Sequence, residues 1–488
     1  MKATGFSLLL FSLIILLGAC AANPVTGQQE LALMTEQQEI SLGRESHGQV
    51  LQQYGKYDNP ELQAYVQSIG EQLARNSHRN NLIYRFTVLD SKEVNAFALP
   101  GGYIYITRGL MSYLNSEAEL AAVLGHEIGH VTARHAVRQY SAAQLAGIGA
   151  TLGAIFIPGM NTAAGSQLTQ VLGTAILRGY GREHELESDR LGAEYLARAN
   201  YNPHAMFEVI RALKNQEVFE VRQARAEGRE PNIYHGLFST HPDNDTRLKE
   251  VISYAEKNIK TASPKLNREQ YLNKIDGMVF GDNAEQGVLR GSHFYHTTLG
   301  ISFRFPEKWK VINQPDRLVG ISADGNSILQ IALQDINKKI SPREFIITRL
   351  GVNQLTLDKA LDINGNPAHT GLAPIKTSYG QRQGRVTVIY FNNQAYIFIG
   401  INKQKEFDQN SDRYFLETAQ SFHALTENER KIARPLHLKL ITAGSNARFD
   451  ILAQQSPLEY FPADQLRLIN GLYPDREPES NKLLKIVE

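Results

Sequence analysis

His126 and His130 stand four residues apart in SEAELAAVLGHEIGHVTARHAVRQY. Side chains four apart project from one face of a helix. Two imidazoles there can bind one zinc ion at about 2.0 to 2.1 Å, with the intervening Glu127 beside an open coordination position. Such a site needs a third protein ligand, and GREHELESDRLGAEYLARAN offers one. Glu185 and Asp189 share a helical face there, so a second helix can close the site as two His plus one Glu. Asp189 would then accept from a ligating imidazole and fix its ring. On spacing alone, Glu183 and Glu187 compete with Glu185 for the ligand role. The bland alternative is a surface helix carrying two of the chain's 14 histidines by chance.

The elements that must position these residues are also legible. Ser116 with Glu119 three residues on is a capping-box start, and Leu120, Val123, Leu124 and Val131 recur at helical spacing. A helix with one buried face is expected. Gly125 and Gly129 would each cost that helix about 0.8 to 1.0 kcal/mol relative to Ala. Two such costs beside two histidines imply that something packs closely against them.

Beyond HEIGH at 126–130 and Glu-x-x-x-Asp at 185–189, the chain contains NPVTGQQELALMTEQQEISLG at 23–43, NAFALPGGYIYITRGLM at 95–111 and STHPDNDTR at 239–247. Together, over residues 23–262, these resemble the HtpX and CAAX-prenyl-protease type of zinc metallopeptidase, peptidase family M forty-eight, in its periplasmic lipoprotein branch. The resemblance implies a gluzincin fold holding one zinc per chain, with His126, His130 and Glu185 as ligands. It further implies Glu127 as general base and Asp189 behind His126. A histidine at the position of His241 lies near the metal in that family. It either closes the open coordination position or stabilises the oxyanion, and Pro242 keeps its backbone extended. The implied reaction is peptide-bond hydrolysis without a covalent intermediate.

Within 95–111, Gly101 and Gly102 make a turn, and Tyr103, Tyr105 and Thr107 alternate with Ile104 and Ile106 as a strand does. This strand is expected to be a sheet edge that binds extended peptide through its backbone. Ser141 to Leu177 contains no charged residue, but Pro158, Asn161 and Gln167 interrupt it. Neither half supplies about 20 clean apolar residues, so a helical hairpin on the protein or membrane surface is expected rather than a span.

The chain opens MKATGFSLLLFSLIILLGAC, with Lys2 ahead of an apolar run and Gly18-Ala19 before Cys20, the only cysteine among 488 residues. This layout is a secretory signal. Leu17-Gly18-Ala19-Cys20 resembles a bacterial lipobox, which implies lipidation of Cys20. Ala21 after it favours the outer membrane, with the protein facing the periplasm. A single cysteine cannot pair internally, which suits an oxidising compartment. Lys plus Arg number 51 against 50 Asp plus Glu, so no net field attracts nucleic acid.

The expected fold class is α+β multidomain. After a signal peptide at 1–19 comes a mainly helical gluzincin-type domain with a small edge sheet at 20–262, then a linker at 263–292. An α+β domain at 293–428 has helices near 342–351 and 411–424 and Trp309 in its core. It resembles small photosystem-associated folds, with no function carried over. Residues 434–488 resemble a degenerate LysM module with a helix at 449–453. It departs from the usual pattern at Gly444-Ser445-Asn446, so peptidoglycan binding and a merely structural role both stay open. The expected function is zinc-dependent cleavage of misfolded or stalled envelope proteins, with the outer-membrane assembly machinery as a further partner. The alternatives are a non-proteolytic chaperone or scaffold and, more remotely, a peptidoglycan amidase.

Overall fold

The computed structural model describes residues 20–145, 180–227, 231, 252–253, 255–257, 259, 262–406 and 408–488. The signal segment 1–19, most of the expected hairpin (146–179) and His241 lie outside the described residues. Among the described residues, no helix is long and apolar enough to cross a membrane.

The chain is a mixed α+β, multidomain protein. A hairpin of β1 (Cys20–Ala22) and β2 (Gln29–Leu31) leads into α1 (Glu36–Tyr54), which starts at a capping box between Thr35 and Gln38. Helix α2 (Pro60–Arg75) follows, with Asn59 as N-cap and Pro60 at its first position, where a missing N–H costs nothing. Strands β3 (Arg85–Leu89), β4 (Ala96–Leu99) and β5 (Tyr103–Thr107) form one sheet in the order β3-β5-β4. The expected hairpin turn is present, with Gly101 and Gly102 at φ 77° and 87°. The expected edge strand is not. Tyr103–Thr107 is central, parallel to β3 and antiparallel to β4, so both its backbone edges are already paired. Alternation in sequence reports faces, not lateral position. Among the described residues the strand with one partner that packs on the helix carrying HEIGH is β4.

Helix α3 (Arg108–Tyr113) leads into α4 (Glu117–Thr132), which carries HEIGH. All sixteen residues of α4 are buried, not one face only. Its polar face meets α6 (Arg182–Arg198), after α5 (His135–Leu145), and α7 (Ala205–Glu227) packs alongside. The glycines explain the approach of α4 to α6. A Cβ on Gly129 would sit 2.9 Å from Ser188 Cα and 3.0 Å from Ser188 O, and one on Gly192 would sit 3.0 Å from His126 N.

The stretch expected as a linker is folded. Within 263–292, α8 (Arg268–Ile275) buries Tyr271, Leu272 and Ile275 in the core around α4. Strand β6 (Val279–Phe280) continues it. Buried Arg108 donates to Asp90 at 2.6 Å and to the carbonyls of Val279 and Gly281, while Asn283 donates to Asp90 from the other side. The change in composition after 262 marks the end of the zinc motifs, not of the fold.

A second core is built on strands β7 (Val288–Arg290), β8 (His293–His296) and β9 (Ile301–Arg304), and on a seven-stranded antiparallel sheet running from Lys310 to Asn402. Helix α9 (Pro342–Thr348) and helix α10 (Gln409–Gln420) pack on that sheet. Trp309 is half-buried at the margin of this core, edge-on to Phe415.

The C-terminal stretch has the order strand, helix, helix, strand. These are Leu436–Thr442, Phe449–Leu452, Pro462–Ile469 and Leu483–Val487, and the two strands pair antiparallel. It is not a separate module. Leu438, Phe449, Leu466, Ile469 and Val487 join the same core as α4 and α6. Lys485 is fully buried, and its Nζ donates to the carbonyls of Ser112 and Leu114 at 2.8 and 2.7 Å, satisfying the end of α3. Burial pulls this ammonium well below the usual lysine range.

Two outcomes follow. Gly129→Ala gains about 0.8 to 1.0 kcal/mol in helix propensity, but its methyl meets backbone that cannot swing away, and overpacking costs about 1–3 kcal/mol. A net fall in stability is expected in denaturant unfolding. Phe449→Ala should lower the stability of the α4-containing core by about 3–5 kcal/mol, read by the helical circular dichroism signal. The fluorescence transition of Trp309, which reports the second core, should stay in place.

Candidate metal centre

Helix α4 begins where Ser116 Oγ accepts from Glu119 N–H at 3.2 Å and the Glu119 carboxylate accepts from Asn115 N–H at 2.8 Å. Three turns later it presents His126 and His130 toward α6. Their Nε2 atoms are 3.0 Å apart, and Glu185 Oε2 lies 3.3 Å from the first and 3.7 Å from the second. All three side chains are buried. Tetrahedral zinc with bonds of about 2.0 to 2.2 Å separates its ligand atoms by roughly 3.3 Å, so the triangle fits such an ion. Glu185 Oε2 is buried facing the two imidazoles, whereas its Oε1 accepts from Tyr180 N–H at 2.9 Å. One carboxylate oxygen is held by backbone, and the other is aimed at the imidazoles. A metal ion held by all three atoms would offset the cost of burying that carboxylate.

The other acidic residues separate cleanly. Asp189 Oδ1 lies 2.9 Å from His126 Nδ1 and accepts from it, which turns Nε2 toward His130 and Glu185. Glu183 is exposed on the outer side of α6. Glu187 turns away from the three-residue cluster and pairs with His135 and Arg138.

Electrostatics follow from burial. Burial works against charge on His126, but the hydrogen bonds and charges of Asp189 and Glu185 outweigh it and hold the metal-free imidazole at about 10. Burial drives His130 well below the usual histidine range, reinforced by its histidine neighbours. Glu127, also buried, is pushed up to about 8 by burial, with repulsion from Glu185 adding to it and His126 opposing.

Sequence reasoning missed Tyr180, His135 and His184, and the part that Glu187 plays behind them. Tyr180 stacks on the His130 ring with centroids 4.3 Å apart. His135 meets His130 through a 2.8 Å contact between their Nδ1 atoms, and Glu187 and His184 pack behind it. His135 does not fit the four-residue repeat, because the backbone leaves the helix at Arg134, whose φ is 54°. Glu39 and the Met34 carbonyl hold the Arg134 side chain. The motif spacing carries no signal for such a break; the Arg-His pair after HVTA was the one available hint.

Comparison with known proteins agrees with this geometry. Residues 60–255 match the family description Peptidase family M48. The beta-barrel assembly-enhancing protease of Escherichia coli (strain K12) is 33% identical over 201 residues, covering 40% of this chain and 39% of that protein. Its Yersinia pestis namesake is 29% identical over 256 residues, covering 51% and 50%. The mitochondrial metalloendopeptidase OMA1 of Schizosaccharomyces pombe is 25% identical over 232 residues, covering 47% and 64%. The chain thus spans between about two-fifths and two-thirds of the length of these relatives. Among solved structures, cyanobacterial PsbP from Synechocystis sp. PCC 6803 aligns at 18% identity and a TM-score of 0.23, over 28% of this chain and 95% of that one, a likeness that supports no functional conclusion. Residues 60–255 thus match Peptidase family M48 and are similar to parts of a bacterial protease and a mitochondrial metalloendopeptidase.

Proposed function

We propose that the protein is a zinc-dependent endopeptidase that cleaves misfolded or stalled cell-envelope proteins. In this reading Cys20 is lipidated and holds it to the outer membrane, facing the periplasm. The observation that carries the proposal is the convergence of three buried ligand atoms, from His126, His130 and Glu185, beside the buried carboxylate of Glu127. The envelope setting rests on the lipobox-like leader and on the name of the bacterial relatives.

When bound, zinc would lower the pKa of a coordinated water toward about 7 and polarise the scissile carbonyl. Glu127 accepts the water's proton and passes it to the leaving amine. Asp189 keeps His126 in the tautomer whose Nε2 faces the ion, and Tyr180 N–H keeps Glu185 from rotating away. Substrate lies extended along β4, whose outer edge has no strand partner among the described residues and which packs on α4. Backbone pairing of that kind selects unfolded chain over sequence. His241 takes the part of a closing ligand at rest.

Purified zinc-loaded protein should cleave unfolded casein. Glu127→Gln should lower kcat by about 10²- to 10⁴-fold with zinc content intact. Glu185→Ala should lose the zinc, and Asp189→Ala should weaken it by about 10- to 100-fold. Undiminished cleavage by Glu127→Gln would contradict the enzyme reading in favour of a scaffold. Mass spectrometry of the native N-terminus should find acyl chains on Cys20, and an unmodified Cys20 would contradict the anchor.

A further inference from the structure

We propose that His135 and Glu187 are positioning residues that hold His130 in its metal-binding orientation through a relay of two imidazoles and a carboxylate. The inference rests on the zinc reading above and adds residues that the HExxH spacing does not include.

The direction of the relay follows from proton counting. His130 turns Nε2 toward His126 and Glu185, so a neutral, ligating His130 must carry its proton on Nδ1. That nitrogen meets His135 Nδ1 at 2.8 Å. Two ring nitrogens can bond only if one donates and the other accepts, so His135 accepts at Nδ1 and carries its own proton on Nε2. His135 Nε2 in turn lies 3.1 Å from Glu187 Oε2, a carboxylate oxygen that accepts it. Arg138 Nη1 donates to the same oxygen at 2.7 Å, and Arg138 Nε lies 3.3 Å from Glu30 of the N-terminal hairpin. Each tautomer along the line is the one the next partner requires.

The surroundings hold this line in place. His135 is fully buried, its ring stacks on His184 at 4.3 Å and 17°, and Ser188 Oγ lies 3.4 Å from its Nδ1. At the far end the Glu187 carboxylate accepts from both His135 and Arg138. The two metal histidines are therefore oriented differently. His126 donates directly to a carboxylate, whereas His130 reaches one through a second imidazole. Partners of this kind fix ring orientation and raise ligand basicity, and their loss typically weakens metal binding by about 10- to 100-fold.

The test measures zinc affinity of the purified full-length protein by chelator competition, beside thermal melting of the metal-free forms and the visible spectrum of cobalt-substituted protein. His135→Leu, which keeps bulk but not the acceptor, and Glu187→Ala should each weaken zinc by about 10- to 100-fold and shift the cobalt bands. His135→Gln, whose amide can accept from His130 and donate to Glu187, should recover most of the loss. Glu187→Ala should melt close to the wild-type metal-free form, since its carboxylate sits at the partly exposed end of the line, and it decides the matter if His135→Leu does not fold. Wild-type affinity in both variants, or weakened affinity that His135→Gln fails to rescue, overturns the relay. His130→Ala is the control for the underlying reading: if it still binds zinc tightly, the metal centre itself has been misplaced.

Discussion

Helices α4 and α6 cross so closely that a single methyl group at Gly129 would intrude on the backbone of Ser188. The rest of the site depends on that contact. His126 and His130 come from one helix and Glu185 and Asp189 from the other, and ligand atoms only 3.0 to 3.7 Å apart require backbones nearly touching. Glycine in mid-helix weakens a helix. Here the loss is offset by burial, since all of α4 is enclosed by α6, β4 and the surrounding core. The aliphatic interior fixes where α4 lies, and its glycines fix how near the second helix may come.

Such a contact also concentrates charge in a place without water. Glu127, Glu185 and Asp189 share a buried pocket with two imidazoles, and isolated buried carboxylates are strongly unfavourable. Asp189 is satisfied by His126, and half of Glu185 by the backbone of Tyr180. The remaining Glu185 oxygen faces the Nε2 atoms of His126 and His130, a set of three donors that one divalent cation would hold together. The arrangement makes little sense as a stabilising network, which is the expected signature of a site that function maintains.

The local parts of this design were legible from sequence because they depend on spacing: the four-residue step of the histidines, the Ser116 cap, and Glu185 and Asp189 on a second helix. Which of Glu183, Glu185 and Glu187 faces the histidines depends on the rotation of α6, and Glu185 is the one that lies against them. Parts that depend on long-range contact were not legible. Strand β5 reads as an edge until β3 and β4 are seen on both its sides. Lys485 lies 371 residues from Leu114, whose carbonyl it caps, and no periodicity announces a lysine that closes a helix so far away. The same docking explains why residues 263–292 and 434–488 read as linker and module, although their apolar residues complete the core around α4. His135 escaped for a local reason, the left-handed turn at Arg134 that folds it back onto His130.

The central claim is that one zinc ion sits where the two helices cross. A crystal of the zinc-loaded protein, measured on both sides of the zinc absorption edge, tests it most directly. The account predicts one anomalous peak per chain, about 2.0 to 2.2 Å from His126 Nε2, His130 Nε2 and Glu185 Oε2. A peak ligated by other residues, or none in crystals grown with zinc, would contradict it.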